Sequence, residues 1–214
     1  MNSRFSNPIR GRLNAWILHV SDNTHHKTYG KWKQKIFEDL PDSVVELGPG
    51  PGANLRYYRQ GTVLIAVEPN LMMLDRLRKN AEQHGINLDI RESKAERLDL
   101  ADESSDVVVS TQVLCAVDDL NQVLHEVYRI LRPGGRFLFL EHIAAPKGTL
   151  LRRIQNLSLI RQPWGWCLEG CRINRETDSA IESVGFSKIE LERFEVKSFL
   201  PVPIRHYITG IATK

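Results

Sequence analysis

Several things are scarce in this 214-residue chain. Three cysteines, an odd number, argue against a disulfide framework and for a reducing compartment. No stretch approaches the ~20 apolar residues that a membrane span needs. The run Ala15-Trp16-Ile17-Leu18, behind Arg4, Arg10 and Arg12, is too short for a secretory segment. The net charge is only +3 and the basic residues are scattered, so no nucleic-acid partner is expected. There is no internal repeat and no low-complexity tract. What remains is a chain 42% hydrophobic and 26% charged, near one domain in length, with enough apolar residues for a real core.

The stretch that organises the chain is Val44-Val45-Glu46-Leu47-Gly48-Pro49-Gly50-Pro51-Gly52-Ala53-Asn54-Leu55. It reads as a buried strand, a Gly-rich turn and the opening of a helical stretch, the nucleotide-cradling start of a Rossmann-like sheet. Glycine lacks Cβ, so the backbone can turn sharply and a ligand can lie against its N–H groups. The turn alone also satisfies the loose dinucleotide fingerprint, Gly48-x-Gly50-x-x-Ala53. Its neighbours separate the two readings. Val63–Val67 reads as a second strand ending at Glu68-Pro69-Asn70, which places an acid where both ribose hydroxyls can donate to it. Glu46 sets a further carboxylate beside the turn, which suits a cationic ligand better than a pyrophosphate. A nicotinamide dehydrogenase is disfavoured by Glu46, by the chain length and by the lack of a separate catalytic domain.

Strand-like and helical patterns then alternate. Leu71–His84 has helical spacing and stops at Gly85, and Leu88–Ile90 is a short strand. Val107–Thr111 is an apolar strand of the buried parallel kind. Asp118-Asp119 opens an amphipathic helix with Leu120, Val123, Leu124, Val127, Ile130 and Leu131 on its stripe. Arg132–Arg136 breaks that helix before the strand Phe137–Ile143. Five alternations imply a parallel sheet with right-handed crossovers, and its ligand belongs beyond the carboxyl ends of the strands. Those ends are Gly48, Glu68, the Ala95 loop, Thr111–Cys115 and Glu141–His142. Residues 1–40 are expected to form a helical lid. Residues 147–177 are expected as a cap insertion in a domain spanning 41–214, with Gln162–Cys167 as an aromatic loop. Ile189–Phe194 and Tyr207–Ala212 suggest a terminal antiparallel hairpin.

Taken together, E-L-G-P-G-P-G, Glu68 after strand two, K-A-E-R-L, and L-R-P-G-G-R before strand five resemble class I S-adenosylmethionine-dependent methyltransferases over residues 42–145. The segments S-T-Q-V-L-C-A-V, L-E-H and E-G-C-R-I-N-R-E-T resemble more closely the methyltransferase-like family that includes the mammalian thiol S-methyltransferases. The resemblance implies a mostly parallel seven-stranded α/β sheet and S-adenosyl-L-methionine as cofactor, leaving as S-adenosyl-L-homocysteine. It implies that Glu46, Gly48, Pro49, Gly50 and Gly52 line the methionine and ribose part of the cofactor. Glu68, with Pro69 and Asn70 beside it, would hold the ribose hydroxyls, Ala95 and Glu96 would sit near adenine, and Thr111 and Gln112 would flank the methionine end. Those relatives carry a membrane-anchoring hydrophobic N-terminus. None is visible in this sequence, so a cytoplasmic protein with at most peripheral membrane contact is expected.

The acceptor is expected to be a small molecule, a thiol by resemblance. An O-, C- or N-acceptor on a quinone, lipid or other apolar metabolite uses the same core, because the variable cap chooses the acceptor. A cofactor-binding protein without turnover is the remaining alternative. A thiol reacts as its thiolate, so a base would help. His142, at the end of strand five, has the position and the reference pKa, and Glu141 is next. No metal is expected. Cys167-x-x-x-Cys171 is not a strong zinc spacing, Cys115 sits in an apolar run as a buried small hydrophobe, and adjacent His25 and His26 do not face the same way on a helix.

Overall fold

The computed structural model describes residues 8–196 and 203–214; residues 1–7 of the expected lid, Arg4 among them, lie outside the described residues. Seven strands form one sheet: β1 (Ser43–Leu47), β2 (Val63–Val67), β3 (Asn87–Arg91), β4 (Ser105–Thr111), β5 (Leu131–His142), β6 (Lys188–Glu195) and β7 (His206–Thr213). Their order is β3-β2-β1-β4-β5-β7-β6. The first five pair in parallel, whereas β7 runs antiparallel to both β5 and β6. The expected α/β sheet and terminal hairpin are therefore present.

Among the described residues six α-helices cover it: α1 (Pro8–Ile36), α2 (Leu71–His84), α3 (Leu120–Ile130), α4 (Leu150–Asn156), α5 (Ser158–Cys167) and α6 (Thr177–Glu182). α3 shows how residue pattern becomes packing. Val123, Leu124, Val127 and Ile130 fall on one stripe and none is exposed to solvent. Each contributes about 1.5–3 kcal/mol relative to an exposed position. Asp119 caps the helix by accepting from Gln122 N–H. α2 starts on the Asn70 side chain, which accepts from Met72 N–H, and stops at Gly85 in the left-handed region at φ +66°.

Three expectations need correction. The alternation is not complete, because Ala53-Asn54-Leu55 leads only into a single 3-10 turn at Leu55–Tyr57, and β3 reaches β4 through a loop without a helix. Strand β5 begins at Leu131, not Phe137; its Arg132–Gly135 segment is accommodated by a register shift between Ser105 and Val107 on β4. The stretch Gln162–Cys167 is helical, despite Pro163 inside α5. Ile160, Trp164 and Leu168, four residues apart, pack on a buried cluster of Cys115, Cys171 and Ile173. That tertiary packing offsets the backbone hydrogen bond which proline removes.

α1 is one 29-residue helix rather than several. Its C-terminal half is docked: Tyr29 and Ile36 are buried, as is Phe37 just after it, and Trp32 stacks on Phe194 at 3.7 Å between ring centroids. Its N-terminal half reaches across the carboxyl end of the sheet, where Arg10 donates to the Gly165 carbonyl of α5 at 2.6 Å.

Candidate active site

All five parallel strand ends open onto one cavity of about 910 Å³, at the upper end of the about 300–1,000 Å³ usual for small-molecule sites. Its floor is the turn after β1. Gly48 has φ +53° and Gly50 φ +58°. A Cβ on Gly48 would lie 2.8 Å from Val113 Cγ2, so the close approach of this turn to the one after β4 requires glycine.

Glu68, at the end of β2, faces the cavity and is almost fully buried. Its two carboxylate oxygens accept from Gly50 N–H at 2.9 Å and from Asn70 N–H at 2.8 Å. Burial pushes its pKa up to about 7, against the pull of those two N–H groups. Pro69, Ala95 and Glu96 continue the wall. Glu96 also accepts from Asp118 N–H at 2.6 Å, which ties its loop to the start of α3.

The end of β4 is strained and braced. Gln112, in the cavity wall, has φ +59°, a left-handed conformation rare outside glycine. The turn is held by Glu141, which accepts from Ser110 Oγ at 2.7 Å, Val113 N–H at 3.1 Å and Leu114 N–H at 3.2 Å. Burial raises the Glu141 pKa to about 7. Glu141 does not reach the cavity, so its contacts give it a bracing part in this arrangement.

Other candidates stand behind the wall as well. Glu46 is buried, with its oxygens accepting from Asn54 Nδ2 at 2.6 Å and Tyr58 Oη at 2.9 Å. Asn54 also donates to Thr111 Oγ1 at 2.8 Å and accepts from the buried Lys33 ammonium at 2.6 Å. Burial raises the Glu46 pKa while these partners oppose the rise. Asn70 caps α2 and donates to Glu169 at 2.7 Å. Gly52, at φ +94°, packs on Leu55, with Pro49 accepting from its N–H at 3.0 Å. These residues shape the cradle from beneath.

The rest of the cavity wall includes Tyr29 and Leu168, which the sequence pattern did not single out. α1 contributes Ile17, His25 and Tyr29, while its Leu18 lies against the glycine turn, 3.7 Å from where a Cβ on Gly50 would stand, and the α5 region contributes Trp164, Leu168 and Cys171. His142 is here as expected, but its Nε2 lies 3.1 Å from Cys171 Sγ. Burial would lower the His142 pKa, yet the Cys171 sulfur beside it turns the net shift upward. Cys171 is lowered well below the usual thiol range by its hydrogen bond with Cys115, against burial and with help from His142. Cys115 is correspondingly raised. The cysteine partner in space is thus Cys115 with Cys171, not Cys167 with Cys171. A long-range contact of this kind leaves no local signal in the sequence.

A glycine turn after β1, an acid after β2 and a sheet in this order with a reversed β7 define a class I S-adenosylmethionine-dependent methyltransferase. A methyltransferase domain model matches residues 45–139. A SAM-dependent methyltransferase from Thermotoga maritima superposes with a TM-score of 0.65 at 21% identity, over 96% of this chain and 99% of that one. A thiol S-methyltransferase from Mus musculus is 36% identical over 199 residues, covering 85% of this chain and 78% of the relative. One from Rattus norvegicus is 34% identical over 224 aligned residues, covering 97% of this chain and 88% of the relative. The chain belongs to the methyltransferase-like family that contains these thiol S-methyltransferases. Among the described residues, no helix is long and apolar enough to cross a membrane.

Proposed function

We propose that this enzyme methylates the sulfur of a small apolar thiol, and that the cavity accommodates cofactor and acceptor at opposite ends. The observation that carries this reading is the contrast between those ends. One has the glycine turn and a buried carboxylate, and the other has apolar side chains around two cysteines and a histidine. The names of the mammalian relatives favour a thiol over oxygen, carbon or nitrogen acceptors.

The residues present fit the cofactor, because Gly48 and Gly50 line the cavity without side chains and Glu68 offers acceptor oxygens at its wall. When bound, S-adenosylmethionine supplies an activated methyl group on a sulfonium. Gly48 and Gly50 would present backbone to its methionine part, and Glu68 and Pro69 would hold the ribose. Ala95 and Glu96 would flank adenine, and Gln112 the methionine end. Glu46, Pro49, Gly52, Asn70 and Thr111 would act from behind, by fixing the turn and the helix that follows. α1 and residues 147–177 would form the lid that excludes water and aligns the acceptor.

The His142 ring has its Nε2 on Cys171 rather than free in the cavity, so loss of the acceptor's proton involves that pair and not the imidazole alone. Glu141 keeps the β4 turn in place for it. The three thiols are free, which supports a reducing, cytoplasmic setting. The test is methyl transfer from labelled S-adenosylmethionine to a panel of thiols, with phenols, quinols and amines alongside. Turnover confined to thiols is the expected result. Turnover of quinols or amines alone would overturn the thiol assignment, and cofactor binding without any transfer would point to a binder without turnover.

A further inference from the structure

The acceptor end holds three groups with a chemistry that methyl transfer by itself does not require. Cys115 Sγ, Cys171 Sγ and His142 Nε2 all lie within 4.8 Å of one another. All three residues are buried, yet all three line the cavity. They come from three separate parts of the chain: the turn after β4, the end of β5, and the loop after α5.

The arrangement is held by backbone rather than by chance contact. Arg172 N–H donates to the Cys115 carbonyl at 2.8 Å, which brings the residue after Cys171 against Cys115. Cys171 N–H is bound by the Leu168 carbonyl at 2.9 Å, and Arg175 donates to the Leu114 carbonyl at 2.5 Å. His142 ends a strand that pairs with β7 along its length. Apolar side chains, including Ile173, Ile160 and Leu168, pack around the two sulfurs. Trp164 Nε1 also donates to Cys171 Sγ, at 3.3 Å.

We propose that Cys115, Cys171 and His142 form a binding site for a single thiophilic divalent cation, of which Zn²⁺ is the type, with its fourth coordination position open to the cavity. Two thiolates and one imidazole are a ligand set of the kind that holds zinc with one position left for water or substrate. Zn–S bonds of about 2.3 Å and Zn–N bonds of about 2.0–2.1 Å bring tetrahedral donors to within about 4 Å of one another. The pairs here run from 3.1 Å, between His142 Nε2 and Cys171 Sγ, to at most 4.8 Å, so shifts of about 1 Å meet that geometry. Soft sulfur ligands select zinc-like ions over magnesium or calcium. Binding displaces two protons from the Cys115, Cys171 and His142 cluster to solvent and forms two metal–sulfur bonds and one metal–nitrogen bond. If the acceptor is a thiol, as proposed above, its sulfur is a suitable fourth ligand, and coordination would release its proton as well. The cation site itself does not depend on that acceptor.

The test uses the full chain, reduced and freed of metal, titrated with Co²⁺ as a coloured stand-in for zinc. One equivalent is expected to give the intense visible bands of a tetrahedral centre and a near-ultraviolet thiolate-to-cobalt band, both erased by added Zn²⁺. Cys115→Ser and Cys171→Ser should each weaken binding by more than about tenfold, since even an outer-shell partner costs that much. Cys167→Ser should bind like the parent. Absence of the near-ultraviolet band in the parent, or a band unchanged in Cys115→Ser and Cys171→Ser, overturns the site. A second measurement needs no variant: alkylation by iodoacetamide with and without Zn²⁺, read residue by residue by mass spectrometry. Zn²⁺ should slow Cys115 and Cys171 and leave Cys167 unchanged; equal rates at all three overturn the proposal. Neither readout involves methyl transfer, so a failure of the thiol assignment would be seen separately.

Discussion

The two ends of the cavity are built in different ways. At the end proposed for the cofactor, each group sits within a few residues of a strand end, on a turn whose chemistry is written locally. Gly48, Glu68 and Ala95 follow β1, β2 and β3 almost at once. At the acceptor end the groups come from α1, the loop after α5 and β5, and only folding brings them together. The first end is a property of short segments, and the second is a property of the tertiary structure. Substitutions should therefore separate them: changes at the first should move cofactor affinity alone, and changes at the second should move acceptor kinetics alone.

The largest separation is expected from Glu68→Ala. It removes the acceptor oxygens at the wall and leaves Gly50 N–H and Asn70 N–H without their partner. Loss of buried hydrogen bonds of this kind costs on the order of 1–3 kcal/mol, or about 5- to 150-fold in S-adenosylhomocysteine affinity by calorimetry. Unchanged affinity would remove Glu68 from the cofactor end. The same residue gives a pH dependence. Its folded pKa of about 7 lies above the ordinary 4.5, so the free protein holds this proton more tightly than the unfolded chain. Its contribution to stability is present below about 4.5 and is lost as pH rises toward 7. If the ionised carboxylate holds the ribose, as proposed above, affinity should fall as pH drops below about 7, by up to about tenfold per pH unit. A Glu68→Gln enzyme should lose that dependence; if it kept the same slope, another group would be responsible.

At the acceptor end, Leu168→Ala should enlarge the pocket beside Cys171 without touching the cradle. An acceptor KM raised by about tenfold, the effect of small changes in an apolar pocket, is expected with S-adenosylhomocysteine affinity unchanged. A matching loss of cofactor affinity would show that the two ends are one packing unit, and the contrast would fail.

The same contrast explains what was legible in the sequence. The sheet, its hairpin and the positions of Gly48, Glu68, Ala95 and His142 followed from period and turn chemistry, because those signals are local. Glu46 is expected beside the cofactor from its charge at the turn and from the resemblance. Its side chain meets Asn54 and Tyr58, which return beneath it after the turn, and no spacing rule states where a loop returns. Cys115 and Cys171 looked unpaired for the same reason: a contact across 56 positions of chain has no periodicity. The α5 helix was hidden by Pro163, whose effect on a helix is real but smaller than the packing of Ile160, Trp164 and Leu168 together.

α1 spans both ends, and the smallest expected effect tests how it is held. Tyr29 Oη donates to Tyr207 Oη at 2.7 Å, and both side chains are buried. This is the polar link between the middle of α1 and β7, whereas Trp32 on Phe194 is a stacking contact. Tyr29→Phe keeps the ring and deletes the hydroxyl, leaving Tyr207 Oη without this partner. The loss should be about 0.5–1.5 kcal/mol, seen as a lower urea midpoint with an unchanged slope. Because Tyr29 lines the acceptor end and is absent from the cradle, cofactor affinity should not change. A midpoint equal to the parent's would mean that the other contacts of α1, Trp32 on Phe194 and Lys33 to Asn54 among them, dock the helix without this bond. A fall in cofactor affinity would mean that α1 transmits its position to the Gly48 turn, through Lys33 and Asn54, and that the lid belongs to both ends.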